Sequence, residues 1–179
     1  MTVPLILGAD TQPTRIGLAL IALDDPLRPL WADTFSLRRP GATEGRAVRD
    51  AIRRASAEAE RHDGEVVRIG IERAIVGGPH TSLETCWDSG GTYKLAVDAC
   101  ERVWKGTRLR FVPLRPGQWK RHALGAGHGN DGKDQVATWA RGWAIAAGWD
   151  EVRLNGLRER DATDAVGIAV GAAVEGGPA

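Results

Sequence analysis

A single tyrosine, Tyr93, and only two cysteines, Cys86 and Cys100, occur in this chain of 179 residues. The lone tyrosine sits in no catalytic pattern, which argues against a tyrosine recombinase. The cysteines lie fourteen positions apart in one predicted helix, too far along it to pair. No disulfide framework is expected, and a reducing compartment is implied. Neither the cysteines nor His80 and His122 have the spacing of a zinc site. No apolar run reaches membrane length and no cationic stretch precedes one at the N-terminus. The expectation is therefore a cytoplasmic protein with no signal peptide and no membrane partner. A formal net charge of +1 leaves no global basic field, so affinity for nucleic acid has to come from local clustering. The phosphate-loop pattern G-x-x-x-x-G-K-[S/T] is missing, as are internal repeats, low-complexity blocks and linkers.

What is present reads as one globular domain spanning 1–179, since this length suits one well-buried core. Strands are expected at Leu5–Asp10, Ile16–Leu23 and Leu30–Leu37, the first two joined by the turn "TQPTR". From Thr43 to Gly64 the period changes, with Val48, Ala51, Ile52, Ala55 and Ala59 on one helical face. Val66–Glu72 is a fourth strand. Thr81 and Glu84 have capping-box spacing and open a helix to about Trp104, which "SGG" at 89–91 should weaken or interrupt. Leu109–Leu114 is a fifth strand, Pro116 starts a short helix, and Gly125–Gly132 is a loop. Two further helices follow, at Lys133–Ala147 and Glu159–Val174. This order predicts an α/β fold: a five-stranded mixed sheet with helices on both faces.

Four acids stand out by position. Asp10 ends the first strand, Glu72 ends the fourth, and Asp161 and Asp164 stand three apart on the final helix. Their helix face continues through Ala165, Ile168, Ala169 and Ala172, which makes it the buried one. Acids leading into a buried stripe are costly unless protonated, paired or bound to metal. Gly8 shares a sheet face with Asp10, and Gly70 with Glu72, so a helix rich in Ala and Gly could approach there closely. Each acid alone could be a cap or salt-bridge partner. Taken together they suit hard divalent cations, Mg²⁺ foremost, and two such ions suit phosphoryl displacement.

The segments "LILGADTQPTRIGLALI", "IGIER" and "RDATDAVGIAVGAA" resemble, in order and spacing, the acidic motifs of RuvC-type Holliday-junction resolvases, within the ribonuclease H-like superfamily. The likeness spans about Leu5 to Val174. It implies Asp10, Glu72, Asp161 and Asp164 as ligands of two Mg²⁺ ions per site, with Mn²⁺ as a substitute, in a homodimeric endonuclease. Such enzymes cut four-way DNA junctions by paired nicks. The chain departs from the family where Thr11, Gln12 and Pro13 replace a D-P-G-type turn, and where Arg73 follows Glu72. Ile75 falls near a position where some members carry an aromatic wedge.

From Arg102 to Asn130 there are seven basic residues and no acid: Arg102, Lys105, Arg108, Arg110, Arg115, Lys120 and Arg121. Such a block is either a solvated face or a phosphate-binding surface. "PGQWKRHALGAGHGNDGKDQV" resembles the family's basic segment, which implies Lys120, also a catalytic candidate, and Lys133 as contacts to the scissile phosphate or its neighbours. Arg73, Ile75, Arg115 and Arg121 complete the expected DNA-binding set. Gly125, Gly127 and Gly129 could admit a phosphate or serve as a hinge. His128 reads as a proton shuttle, a phosphate contact or ordinary surface. Of the seven tryptophans, Trp139 and Trp143 read as core or interface, Trp87 as interface, and Trp119 as packing or base stacking. Alternatives are an actin-like or sugar-kinase-type ATP-binding protein, a non-cutting module of the same fold, and a relaxed branched-DNA or flap nuclease. The first lacks a second lobe at this length, and a non-cutting module has no use for four costly acids.

Overall fold

A computed structural model of the chain describes residues 2–38, 43–73, 83–125 and 133–177; the side chains of 83–89 and 133 are outside that description. Five strands form one sheet: β1 (Val3–Thr11), β2 (Arg15–Ala22), β3 (Arg28–Ser36), β4 (Gly64–Glu72) and β5 (Arg110–Leu114). Their order is β3-β2-β1-β4-β5. The β1–β2 and β2–β3 pairs are antiparallel, whereas β1–β4 and β4–β5 are parallel. The short turn between β1 and β2 permits only antiparallel pairing, while the crossovers through helices α1 (Glu44–Arg61) and α2 (Leu83–Val103) permit the parallel ones. The expected mixed sheet is what forms.

Alternation along β1 sends Leu5, Leu7 and Ala9 to one side and Ile6, Gly8 and Asp10 to the other. The first set packs with Val48, Ala51, Ile52 and Ala55 of α1 and with Ala96, Ala99 and Cys100 of α2. The second faces α6 (Arg160–Glu175), which is flanked by α3 (Pro116–Leu124) and α4 (Lys133–Ala146). Helices therefore cover both faces. Burial holds the Cys100 thiol well above its ordinary pKa, so this cysteine is protonated and inert. Among the described residues no helix is long and apolar enough to cross a membrane.

Two elements differ from expectation. Helix α2 runs without a break through Gly90 and Gly91. Each glycine costs about 1 kcal/mol relative to alanine. Burial of Ala96, Ala99 and Cys100 against α1 offsets that, aided by the Thr92 hydroxyl donating to Glu44 Oε1 at 2.7 Å. The capping-box Thr81 lies outside the described residues. Between α4 and α6 the chain also forms α5 (Glu151–Leu154) and a 3₁₀ turn (Asn155–Leu157), which the sequence did not suggest. This piece, with Trp149 Nε1 donating to the Pro29 carbonyl at 3.0 Å, covers part of the free edge of β3.

The far end of α6 is tied to the sheet by two arginines. Arg68 of β4, only 3% exposed, donates to the carbonyls of Ala172 at 3.1 Å, Ala173 at 3.0 Å and Gly177 at 3.0 Å. Arg110, its neighbour across the β4–β5 pair, donates to the Gly176 carbonyl. These cations satisfy carbonyls that a helix end leaves open and complement its negative dipole. Arg68→Ala should therefore lower stability by about 3 kcal/mol, with a melting point about 6–12 °C lower. Urea denaturation showing a loss below about 0.5 kcal/mol would refute this role.

Candidate functional site

Helix α6 reaches the sheet at backbone distance. A Cβ placed on Gly8 would overlap the Ala165 carbonyl oxygen, and one on Gly17 would overlap that of Asp161. One on Gly70 would stand 2.6 Å from the Ala172 Cβ. The expected clearance by Gly8 and Gly70 is realised, and Gly17 of β2, opposite Asp10, adds to it. In the parallel β1–β4 register Gly8 pairs with Gly70 and Ala9 with Ile71. Asp10 and Glu72 thus emerge at the same carboxyl edge of the sheet. The first turn of α6 brings Asp161 to that edge, and Asp164 follows within the next turn.

Asp10, Asp161 and Asp164 are buried, at 2%, 5% and 7% exposure, and Glu72 is half-buried. The Asp10 carboxyl is held well above the usual carboxylate range, first by burial and next by the charge of Glu72. Asp164 and Asp161 push it further up, while a hydrogen bond from Gln12 pulls it down. Four acids from three separate segments therefore lie within electrostatic reach of one another.

Each of three acids also leans on a partner of its own. Gln12 Nε2 donates to Asp10 Oδ1 at 2.9 Å, a contact supplied by the turn in which this chain departs from the D-P-G pattern. Trp119 Nε1 of α3 donates to Glu72 Oε2 at 2.8 Å. Arg15 Nε stands 3.0 Å from Asp161 Oδ2, close enough for an ion pair. It lies off the line of a donor, so this buried oxygen has a charge partner and no hydrogen bond. Arg15 is anchored from the other side by Glu159 Oε2 at 3.0 Å. Among the described residues no three His, Cys, Asp or Glu side chains gather closely enough to hold one ion as they stand. The convergence expected within a few ångströms is thus looser than a ready-made ion site among the described residues. The donor chemistry, carboxylate oxygens, fits a hard divalent cation.

The basic residues divide. Arg73 follows Glu72, and its backbone N–H donates to the Leu114 carbonyl at 2.8 Å. Arg73 and Arg115 are thereby neighbours at the carboxyl edge, and both side chains are exposed. Arg121 is also exposed, and Lys120 Nζ stands 5.7 Å from the centre of the Trp119 ring. Lys133 begins α4 beside Asp134, which pairs at 2.8 Å with Arg160, the residue before Asp161; the Lys133 side chain is outside the description. Arg110, counted in the basic block, instead binds the end of α6. Ile75, His80, Gly127, His128 and Gly129 lie outside the described residues. His122 Nε2 meets Glu175 Oε1 at 2.7 Å, and Trp139 and Trp143 stack with centres 5.6 Å apart against the α6 side of the core.

Sequence reading missed Gln12, Arg15 and Gly17, and took Trp119 for packing or stacking. Gln12 had a usable signal, an amide two residues past the acid in a turn; Arg15 and Trp119 meet their acids only through tertiary contact.

No family model and no curated protein matches this chain. Solved structures do. Thermus thermophilus RuvC is similar at 20% identity, with 93% of this chain and 92% of that one covered and a TM-score of 0.61. The T. thermophilus RuvC complex with Holliday junction substrate gives 20% identity, 93% and 91% coverage and a TM-score of 0.63. The yeast mitochondrial Holliday junction resolvase Ydc2 follows at 12% identity, 94% and 77% coverage and a TM-score of 0.59. The chain thus has the ribonuclease H-like fold of these proteins.

A raised Asp10 pKa makes stability depend on pH. The folded state holds the proton more tightly than the unfolded chain, whose aspartates titrate near about 3.9. Stability is full below that value and falls as pH rises through the raised folded pKa. In EDTA, Asp10→Asn should remove this fall and melt a few degrees above the parent at about pH 7. Thermal melts from about pH 4 to 9 that give both proteins the same slope would assign the dependence elsewhere.

Proposed function

We propose that this chain is a divalent-cation-dependent endonuclease that resolves four-way DNA junctions by paired nicks, acting as a homodimer with 1–179 as its single nuclease domain. One observation carries the reading: carboxylates from β1, β4 and α6 stand at one edge of a ribonuclease H-like sheet, where burial first and their charges next raise the pKa of Asp10. Asp10, Glu72, Asp161 and Asp164 would hold two Mg²⁺ ions, with Mn²⁺ as a substitute. The bound ions would supply an acidified water and neutralise charge on the phosphate.

The chain's own residues do the rest. Gln12 and Trp119 orient Asp10 and Glu72. Arg73, Arg115, Lys120, Arg121 and Lys133 would hold the backbone phosphates, with Lys120 serving the reacting phosphate as well. Ile75 would contact the junction from the segment after Arg73. Binding that rests on such contacts weakens steeply with salt. Paired nicks require two sites, hence two copies of the chain.

A labelled four-way junction incubated with Mg²⁺ should yield symmetric nicks, and EDTA should abolish them. Asp10→Asn should cut at least about a thousandfold more slowly while still binding the junction in a gel shift. Equal activity of that variant, or cleavage surviving EDTA, would refute the assignment. Cleavage of flaps and forks at the rate of the four-way junction would favour the relaxed nuclease. Lys120→Ala should lower turnover and weaken binding as well.

A further inference from the structure

Trp119 is the largest fully buried side chain among the described residues, at 1% exposure, yet its one polar atom is spent on an acid at the sheet edge. The indole is clamped. A Cβ on Gly167 would stand 2.7 Å from ring atoms Cε3 and Cζ3, and one on Gly171 would stand 2.8 Å from the Trp119 Cβ. Glycine at 167 leaves room for the ring, and glycine at 171 leaves room for the base of the side chain. Leu114, the β5 residue paired with Glu72, packs in the same cluster. The Nε1–H group is thus fixed by contacts on two elements before it reaches Glu72 Oε2 at 2.8 Å. Lys120, the next residue in α3, lies over the ring face.

A half-buried glutamate has three side-chain torsions to order, and an indole donor held by two glycine clefts orders them at no further cost at the moment of binding. Phenylalanine would fill most of the same space without the donor. The tryptophan is therefore chosen for its N–H as well as its bulk. The same ring places a cation–π partner under Lys120, which couples the aim of the acid to the aim of the base.

We propose that Trp119 is a positioning residue: its indole N–H sets the rotamer of Glu72 for divalent-cation binding, and its ring sets the direction of Lys120. This rests on the nuclease reading above and names a device within that site. Trp119→Phe should raise the apparent dissociation constant for Mg²⁺ or Mn²⁺ about tenfold, read from the cation-induced rise in melting temperature. It should also lower kcat on a four-way junction while leaving junction binding in EDTA within about twofold. A merely structural role would lower the melting temperature with and without cation alike and leave the cation midpoint in place.

In the parent protein, the indole N–H resonance of Trp119, linked through its ring spin system to the Hε3 and Hζ3 protons that lie against Gly167, should shift on Mg²⁺ addition and should move in Glu72→Ala. This measurement does not depend on the folding of Trp119→Phe. An unchanged cation midpoint in Trp119→Phe, or an indole resonance indifferent to both Mg²⁺ and Glu72→Ala, would overturn the proposal alone. A parent chain whose melting temperature ignores both cations and which cuts no junction would overturn the nuclease reading, and this proposal with it.

Discussion

Backbone contact between α6 and the sheet governs the architecture of this molecule. Side chains normally hold a helix about 10 Å from a sheet, but Gly8 and Gly17 remove them where Ala165 and Asp161 lie. Small residues on α6 complete the approach, since Ala165 and Ala169 present almost nothing beyond the helix barrel there. The gain is position: an acid in the first turn of α6 comes level with acids that end two parallel strands. Arg68 and Arg110 hold the opposite end of the same helix by its carbonyls, so both termini are restrained. Adding a methyl group at Gly8 or Gly17 would push the whole helix outward and carry Asp161 and Asp164 with it.

Clustered carboxylates work against this seating. Burial and mutual repulsion both disfavour the charged forms, and the raised pKa of Asp10 records that conflict. For three of the four acids the protein supplies a partner: an amide for Asp10, an indole for Glu72 and a guanidinium for Asp161. The helix N-terminus also favours a negative charge at Asp161. These partners do not neutralise the cluster. They leave it a strongly cation-seeking edge held in a defined shape, which is the electrostatic condition that binding of hard metal ions exploits.

Charge counting alone misjudges the basic segment. Seven cations without an acid suggest a continuous nucleic-acid surface, but Arg110 closes the end of α6. Of the segment's exposed members, Arg115, with Arg73 beside it, stands at the carboxyl edge.

Much of this was legible in the order of residues. Period-two alternation in β1 and β4, period 3.6 in α1 and the apolar stripe of α6 are local signals, and each predicted its element and its buried face. They also marked Asp10, Glu72, Asp161 and Asp164, because an acid at the end of a buried pattern is anomalous without any knowledge of its neighbours. The unbroken α2 was not legible, since its glycines are outweighed by packing against a helix some forty residues away. Nor were the roles of Arg15, Trp119 and Arg110, or the covering of the β3 edge by the 3₁₀ turn. Local pattern determined which segments form elements and which acids are out of place. Only tertiary structure decided which partners Glu72 and Asp161 meet, because that choice depends on contacts between residues dozens of positions apart, for which the sequence carries no period.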